Sequence, residues 1–345
     1  MSVHYLRAPG KTMWLGEYVV LDGAPALVAA VDRHAVCTIE SRFAVRTDPS
    51  MEVQTTLTDA RWLLRDQAGQ THPAPDDTFR LLEAVLETLK EDEIPLPTKG
   101  AAYRFSTNAL NASTKIGLGS SAAVAALGVV AFGGELGQTL QNADEVYRLA
   151  LAAHHRFQGG VGSGSDVAAA CYGGLLRMEK GQAPRRLDCA LPHVLVIYTG
   201  FEANTRTFVR RVRAQSDQPA VRDALSTMRD LAIQGASALE EADLPSFLRS
   251  VRAFHRAEVA LTKASGVPVV TSEIAQAVAL LEQCGGAAKA SGAGGGDIVI
   301  GFFATAAERE MAISMAVQAG LDVIPLAVEA RGVLESLISE PTPRA

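Results

Sequence analysis

Three glycine-rich stretches and one lysine carry the residues of this 345-residue chain that are best suited to phosphate chemistry. In KIGLGSSAA (Lys115–Ala123) glycines precede a run of small apolar residues, which predicts a turn opening into a helix. Such a turn lets backbone N–H groups approach a ligand closely, and the helix N-terminus adds about half a positive charge, a setting suited to phosphate. Two adjacent hydroxyls, Ser120 and Ser121, favour a nucleotide phosphate together with its metal ion. Gly117, Gly119 and Ala122 also satisfy G-x-G-x-x-A, so a dinucleotide site has to be weighed. That site needs a second strand ending in an acidic residue about twenty positions on. The segment there, FGGELGQTLQNADE, contains no strand pattern.

GSGSD (Gly162–Asp166) ends in the one carboxylate of its turn and is followed by small residues. Asp166 reads either as a helix cap or as a catalytic carboxylate presented from a rigid turn. KASGAGGGD (Lys289–Asp297) has Gly294, Gly295 and Gly296 in succession, which leaves a concave backbone surface open to a phosphate or substrate. A flexible linker is the alternative, and the apolar strand that follows favours a held loop. The remaining candidate is Lys11, in APGKT. A P-loop would need glycine five residues before Gly10, where Tyr5 stands, and a helix afterwards, where MWLGEYVVL reads as a strand. Lys11 is therefore expected in a strand-turn-strand corner. A lysine and an aspartate beside a bound γ-phosphate can activate and position an attacking oxygen.

The elements that must hold these residues follow from hydrophobic periodicity. Residues 3–64 read as short strands: VHYLRA, MWLGEYVVL, HAVCTIE, FAVRT, MEVQTTL and RWLL. A helix places Phe79, Leu82, Val85, Leu86 and Leu89 on one face, and AAYRFS is a strand. Ile116–Gly134 is uncharged for nineteen residues, near the length of a membrane span. Its alanine-rich composition, five glycines and lack of flanking aromatic anchors instead predict a buried helix behind a glycine loop. A second helix starts at Asn142, whose side chain can cap it. After the strand HVLVIY, residues 204–262 are helical in pattern, and this change of texture predicts domains 1–190 and 191–345. A helix ending at Gly285-Gly286, another at 305–319 and a final strand, LDVIPL, complete the reading.

A net charge of −6 argues against a nucleic-acid surface. The four cysteines are widely spaced without a C-x-x-C pair, which argues against a zinc site or a disulfide framework. No basic-then-apolar region opens the chain, so a cytoplasmic protein without a membrane partner is expected.

These motifs, in this order, resemble the GHMP kinases. APGKTMWLGEYVVLDGAPALVAAVDR is similar to the first family motif, KIGLGSSAAV to the second and KASGAGGGD to the third, over essentially the whole chain. The resemblance implies an α+β fold, with an N-terminal ribosomal S5 domain 2-like ATP-binding domain and a C-terminal ferredoxin-like domain. It implies ATP held by Lys115, Gly117, Leu118, Gly119, Ser120, Ser121 and Ala122, with Mg²⁺ at Ser120 and Ser121. Asp166 matches the catalytic aspartate, and Lys11 falls beside the group to be phosphorylated. On the substrate side fall Glu17, Tyr18, Ser163, Gly164, Asn204, Thr205, Arg206, Ser291, Gly292, Ala293 and Gly294, with Arg210 four residues beyond Arg206 on the same helical face.

Within the superfamily, GEYVVLDGAPALVAAVDR and HHRFQGGVGSGSDVAAACYGG look most like the phosphomevalonate kinases. That implies ATP-dependent phosphorylation of 5-phosphomevalonate by a monomer or homodimer. Mevalonate kinases typically read Gly-Glu-His where this chain has Gly16-Glu17-Tyr18. They also carry a metal-binding glutamate where this chain has His155, which leaves the second protein ligand of Mg²⁺ unassigned. Diphosphomevalonate decarboxylases are similar in fold but normally lack the first-motif lysine. The alternatives are a mevalonate kinase or another GHMP small-molecule kinase and, from a different class, a non-catalytic ATP-binding regulatory protein. Lys11 and Asp166 together speak against the last.

Overall fold

Strands β1 (Ser2–Leu15) and β2 (Ala26–Ser41) pair antiparallel over most of their length and form the spine of the larger sheet. The computed structural model describes residues 2–41, 48–111, 116–136, 139–160, 162–202, 205–336 and 338–341. β1 differs from the sequence expectation. APGKT is not a turn between two strands but an irregularity within one, where the register shifts between Pro9 and Gly10. The strand stops at Gly16 (φ +97°), and Val19–Asp22, expected as strand, is a short 3-10 helical turn. The first half of β2, ALVAAV, was not expected as a strand at all. Its six residues are all buried, so there is no alternation to read; a strand covered on both faces is continuously apolar.

β3 (Met51–Thr55), β4 (Arg61–Arg65), α1 (Arg80–Glu91) and β5 (Ala101–Ser106) follow as the sequence pattern predicts, while FAVRT lies outside the described residues. The alanine-rich segment becomes α2 (Ser120–Phe132), whose residues from Ala125 to Phe132 are all buried. Among the described residues no helix is long and apolar enough to cross a membrane. Next come α3 (Ala143–Gln158), capped by Asn142, α4 (Ser165–Tyr172), β6 (Leu175–Met178) and β7 (Arg185–Arg186). The larger sheet runs β4-β3-β5-β2-β1, with β6 also on β2 and β7 on β6; its pairings are antiparallel except β3 with β5.

The second sheet is built from β8 (His193–Tyr198) and later strands, reached through α5 (Thr205–Arg213), α6 (Pro219–Glu240), α7 (Leu244–Ser265) and α8 (Ser272–Gln283). It continues with β9 (Ala287–Ser291), β10 (Ile298–Phe303), α9 (Ala306–Gln318) and β11 (Asp322–Ile324), in the order β11-β8-β10-β9. Lys289–Ser291, expected in a loop, lies on β9, so the glycine loop proper is 292–297, between two strands. LDVIPL is not the last strand. The chain returns through residues 326–333 and ends in β12 (Ile338–Pro341), paired antiparallel with β1.

The two sheets share a core at Trp14. This ring has no exposed surface and meets Phe302 of β10 edge-on at 5.0 Å and Phe247 of α7 at 6.2 Å. Such aromatic contacts add about 0.5–1.5 kcal/mol each beyond burial. They set the second sheet against the strand that carries Lys11. The observed architecture is α+β, with an eight-stranded sheet that takes in both ends of the described chain and a four-stranded sheet built from its C-terminal part.

Candidate active site

The irregularity in β1 exists because Gly10 passes close beneath the second glycine turn. A Cβ there would meet Leu118 O at 2.8 Å and the Leu110 side chain at 2.6 Å. Lys11 is then tied to that turn twice: its backbone N–H donates to Leu118 O at 2.9 Å and its Nζ to Gly117 O at 2.9 Å. Gly117 and Gly119 both have left-handed backbone angles (φ +78° and +79°), which glycine adopts without strain. A Cβ on Gly119 would lie 3.1 Å from Lys11 Cγ and 3.4 Å from Asp166 Cβ. The apex of the turn therefore sits between the lysine and the aspartate.

Asp166 is the second residue of α4, whose N-cap is Gly164 (φ +73°), so it is not the cap. Its Oδ1 accepts the Val167 N–H at 3.0 Å. The small residues behind it explain its placement. Ala168 and Ala169 pack with Met13, Val28 and Leu176, which seats α4 against β1 and β2.

A cleft of about 730 Å³ opens over these groups. The N-terminal residues of three helices, Ser120 of α2, Ser165 of α4 and Thr205 of α5, all line it. Three converging helix N-termini favour an anionic ligand. Of the residues expected at the site, Lys11, Glu17, Tyr18, Gly117, Gly119, Ser120, Ser121, Ser163, Gly164, Asp166, Thr205, Arg206, Ser291, Gly292 and Ala293 line this one cleft. Lys115 and Asn204 lie outside the described residues. Leu118 and Ala122 are buried under the turn, where Leu118 serves through its carbonyl.

The structure turns Gly294 away from the cleft. A Cβ there would stand 2.1 Å from Val269 O, and one on Gly295 would stand 2.0 Å from the Phe208 ring. These glycines let the loop pack against its neighbours, including the helix that carries Arg206. Arg210 does not line the cleft either, whereas Thr205, Arg206 and Val209 do. One further turn along the axis is a rise of about 6 Å, and it carries Arg210 away from the opening.

The residues 80–174 match the family described as GHMP kinases N terminal domain, and residues 236–320 match GHMP kinases C terminal, together just over half of the chain. The chain belongs to the GHMP kinase superfamily. It is 28% identical to a phosphomevalonate kinase of Streptomyces sp. (strain CL190), over 88% of this chain and 91% of that protein. It is 25% identical to a mevalonate kinase of Thermococcus onnurineus (strain NA1), over 90% and 91%. In fold it is similar to a Streptococcus pneumoniae phosphomevalonate kinase in complex with phosphomevalonate and AMPPNP, with a TM-score of 0.77 at 18% identity, covering 94% of this chain and 99% of that one.

In this GHMP kinase the second glycine turn has a partner that the sequence reading missed. His154 of α3 is 2% exposed, and its Nε2 lies 3.0 Å from Ser121 Oγ and 2.9 Å from Gln158 Nε2. The Gln158 amide can only donate to that nitrogen, so Nε2 is the acceptor of the ring, and the Ser121 hydroxyl shares it, which ties the turn to α3. The visible signal was the i, i+4 spacing of His154 and Gln158 on one helical face. His155, the residue at the expected metal-ligand position, does not line the cleft, and its Nε2 is buried without a hydrogen-bond partner among the described residues.

Among the described residues no three His, Cys, Asp or Glu side chains come together as a metal cage. Mg²⁺ that travels with a nucleotide takes one or two protein oxygens besides phosphates and water. The hydroxyls of Ser120 and Ser121 and the carboxylates of Asp166, Glu202 and Asp297, all lining the cleft, are oxygen donors that fit it.

Burial, against the opposing pull of Asp166, holds the His154 pKa below its usual value. Below about pH 6.5 the unfolded chain takes up a proton that the folded protein refuses, so stability is full above that pH and declines on acidification. Urea midpoints measured from pH 7.5 to 5.5 should fall more steeply for wild type than for His154→Gln, which keeps a hydrogen-bonding group but cannot titrate. Equal slopes would place the acid sensitivity elsewhere.

Proposed function

We propose that the chain transfers the γ-phosphoryl group of ATP to the phosphate of 5-phosphomevalonate, giving the diphosphate. The observation that carries this reading is the placement of Gly119 between Lys11 and Asp166 in a cleft that Arg206 and the N-terminal residue of α5 also line. The backbone of Gly117–Ser121 cradles the nucleotide phosphates. Asp166 orients the attacking acceptor oxygen and takes its proton when one is present, and Lys11 neutralises charge on the group in transit. The bond from the γ-phosphorus to the β-bridging oxygen breaks as the bond to the acceptor oxygen forms. Phosphoryl transfer depends mainly on this alignment and charge neutralisation. Ser120 and Ser121 would hold Mg²⁺, which supplies charge compensation at the β- and γ-phosphates. We read residues 1–190 as the ATP-binding domain, with β12 returning to its sheet, and the rest of 191–345 as the C-terminal domain, in a cytoplasmic protein.

Lys11 and Arg206 are the lysine and arginine side chains among the described residues that line the cleft, and Lys11, bonded to Gly117 O of the glycine turn, stands by the group in transit. Arg206 is thus the group that meets a phosphate on the acceptor. Free mevalonate would leave it unpaired, and the discrimination is of the order of 1–3 kcal/mol, roughly 5–150-fold. A second reading, mevalonate as the acceptor, is favoured by the small number of cations and by the 25% identity to a mevalonate kinase.

An acceptor panel of mevalonate, phosphomevalonate, homoserine and galactose, monitored by ADP release, tests both readings. Phosphomevalonate should have the highest kcat/KM. Arg206→Ala should lower that value by about 10–100-fold while leaving any use of mevalonate unchanged. Better use of mevalonate by wild type would replace the first reading with the second. Absence of ADP release with every acceptor would favour a non-catalytic ATP-binding protein.

A further inference from the structure

Beside the cleft, Glu17, Lys289 and Glu258 form a charged cluster that is almost wholly buried. Lys289 has no exposed surface, and Glu17 and Glu258 are 3% and 1% exposed. The ammonium donates to Glu17 Oε1 and to Ala290 O, lies 3.8 Å from Glu258 Oε1 and sits 5.3 Å from the centre of the Phe254 ring. Glu258 also has His255 Nδ1 at 3.4 Å, and burial pushes its carboxyl toward the neutral form. The ammonium thus faces two carboxyl groups and donates to that of Glu17. Ions sealed from water are costly unless paired, and apolar residues could fill the same space at less cost.

What the pair holds in place is the third motif. Glu17 Oε1, already fixed by Lys289, accepts the Gly292 N–H at 3.3 Å. Tyr18 donates its hydroxyl to Ala293 O at 2.5 Å. Ser291 Oγ donates to Met13 O at 3.0 Å and accepts from Met13 N–H at 2.9 Å. Tyr18 itself is held at φ +64°, a conformation that costs energy for any residue but glycine and persists only where its surroundings impose it. Residues 13–18 and 291–293 are thus clamped together, and Glu17, Tyr18 and Ser291 to Ala293 all line the cleft.

We propose that Glu17 is a positioning residue and not a ligand of the acceptor: Lys289 fixes its carboxylate, and the carboxylate fixes the loop 291–293 that shapes the acceptor end of the cleft. That this end of the cleft takes the acceptor, and the acceptor's name, rest on the kinase reading above. The ammonium of Lys289 is consumed by Glu17 and adds nothing to the charge that meets an anionic acceptor.

Three variants test this: Glu17→Gln, Lys289→Met and the two combined. Lys289→Met strands the Glu17 carboxylate, and Glu17→Gln leaves the ammonium only the more distant Glu258 carboxyl, at 3.8 Å. Each single change should lower the melting temperature and raise the acceptor KM by about tenfold or more, with the KM for ATP changed less than about twofold. The combined variant has neither charge, and the glutamine can still accept the Gly292 N–H, so stability and acceptor KM should both recover. Hydrogen–deuterium exchange over residues 289–297 of the ligand-free protein should be faster in each single variant and restored in the double. This readout needs no acceptor, so an error in the acceptor's identity fails separately, as wild-type inactivity on phosphomevalonate. A double variant that regains stability but keeps the acceptor defect would mean that Glu17 touches the ligand, and would overturn the proposal. So would equal losses for ATP and acceptor, or unchanged exchange at 289–297. If the single variants do not fold, the double still decides, because it must fold and exchange like wild type.

Discussion

Asp166→Asn is expected to lower turnover by roughly 10²–10⁴, the range for a positioned acid–base group, with nucleotide affinity nearly unchanged. Asparagine has the same shape, and Asp166 is not the cap of α4, whose N-cap is Gly164. The one hydrogen bond seen at its Oδ1, from the Val167 N–H, is open to an amide oxygen as well. What the substitution removes is negative charge at the point where the glycine turn, Lys11 and the acceptor meet. The nucleotide phosphates are cradled by a different segment, 117–121, so binding of a non-hydrolysable ATP analogue should survive. Turnover within a few-fold of wild type would reduce Asp166 to a structural residue.

Gly119→Val is expected to abolish nucleotide binding and turnover together, while the protein stays folded. Two effects coincide at this position. A β-branched residue at φ +79° is strained, by about 1–2 kcal/mol for the left-handed region alone. Its Cβ would also stand 3.1 Å from Lys11 Cγ and 3.4 Å from Asp166 Cβ, with the two methyl groups reaching farther into the space a phosphate must occupy. The turn faces an open cleft, so the melting temperature should fall only by what the backbone strain implies. Gly119→Ala separates the contributions, because it carries the strain without the branches and should retain measurable ATP affinity. Titration of ADP or an ATP analogue into each variant gives the answer. Wild-type affinity in Gly119→Val would move the phosphate site away from this turn.

The parts of this site that were legible in the sequence are those whose chemistry is local. The turn 117–119 with its following small residues announces a glycine-opened helix, and α2 begins at Ser120 as that pattern requires. The aspartate in GSGSD is readable for the same reason. What escaped the sequence depends on partners far away in the chain. A lysine in the apolar strand β9 makes sense only once Glu17, 272 residues distant, is known to meet it. Lys11 reads as a corner residue because the glycine before it suggests a turn, yet β2 pairs alongside and carries β1 straight through. ALVAAV conceals a strand because burial on both faces removes the alternation that marks one. Arg210 shares a helical face with Arg206 but sits a turn farther from the cleft, a distinction that periodicity alone does not make.

The antiparallel register of Ser2 with Pro341 has a consequence for biosynthesis. At about 5–20 residues per second a ribosome needs roughly 20–70 s to reach the C-terminal strand after making the N-terminal one. During that interval β1 can pair with β2, but its other edge offers unsatisfied N–H and C=O groups to any extended chain nearby. The same strand carries Lys11 and ties it to the glycine turn. That edge of β1 is therefore closed late, and the time it stands open during synthesis depends on how fast the rest of the chain is made.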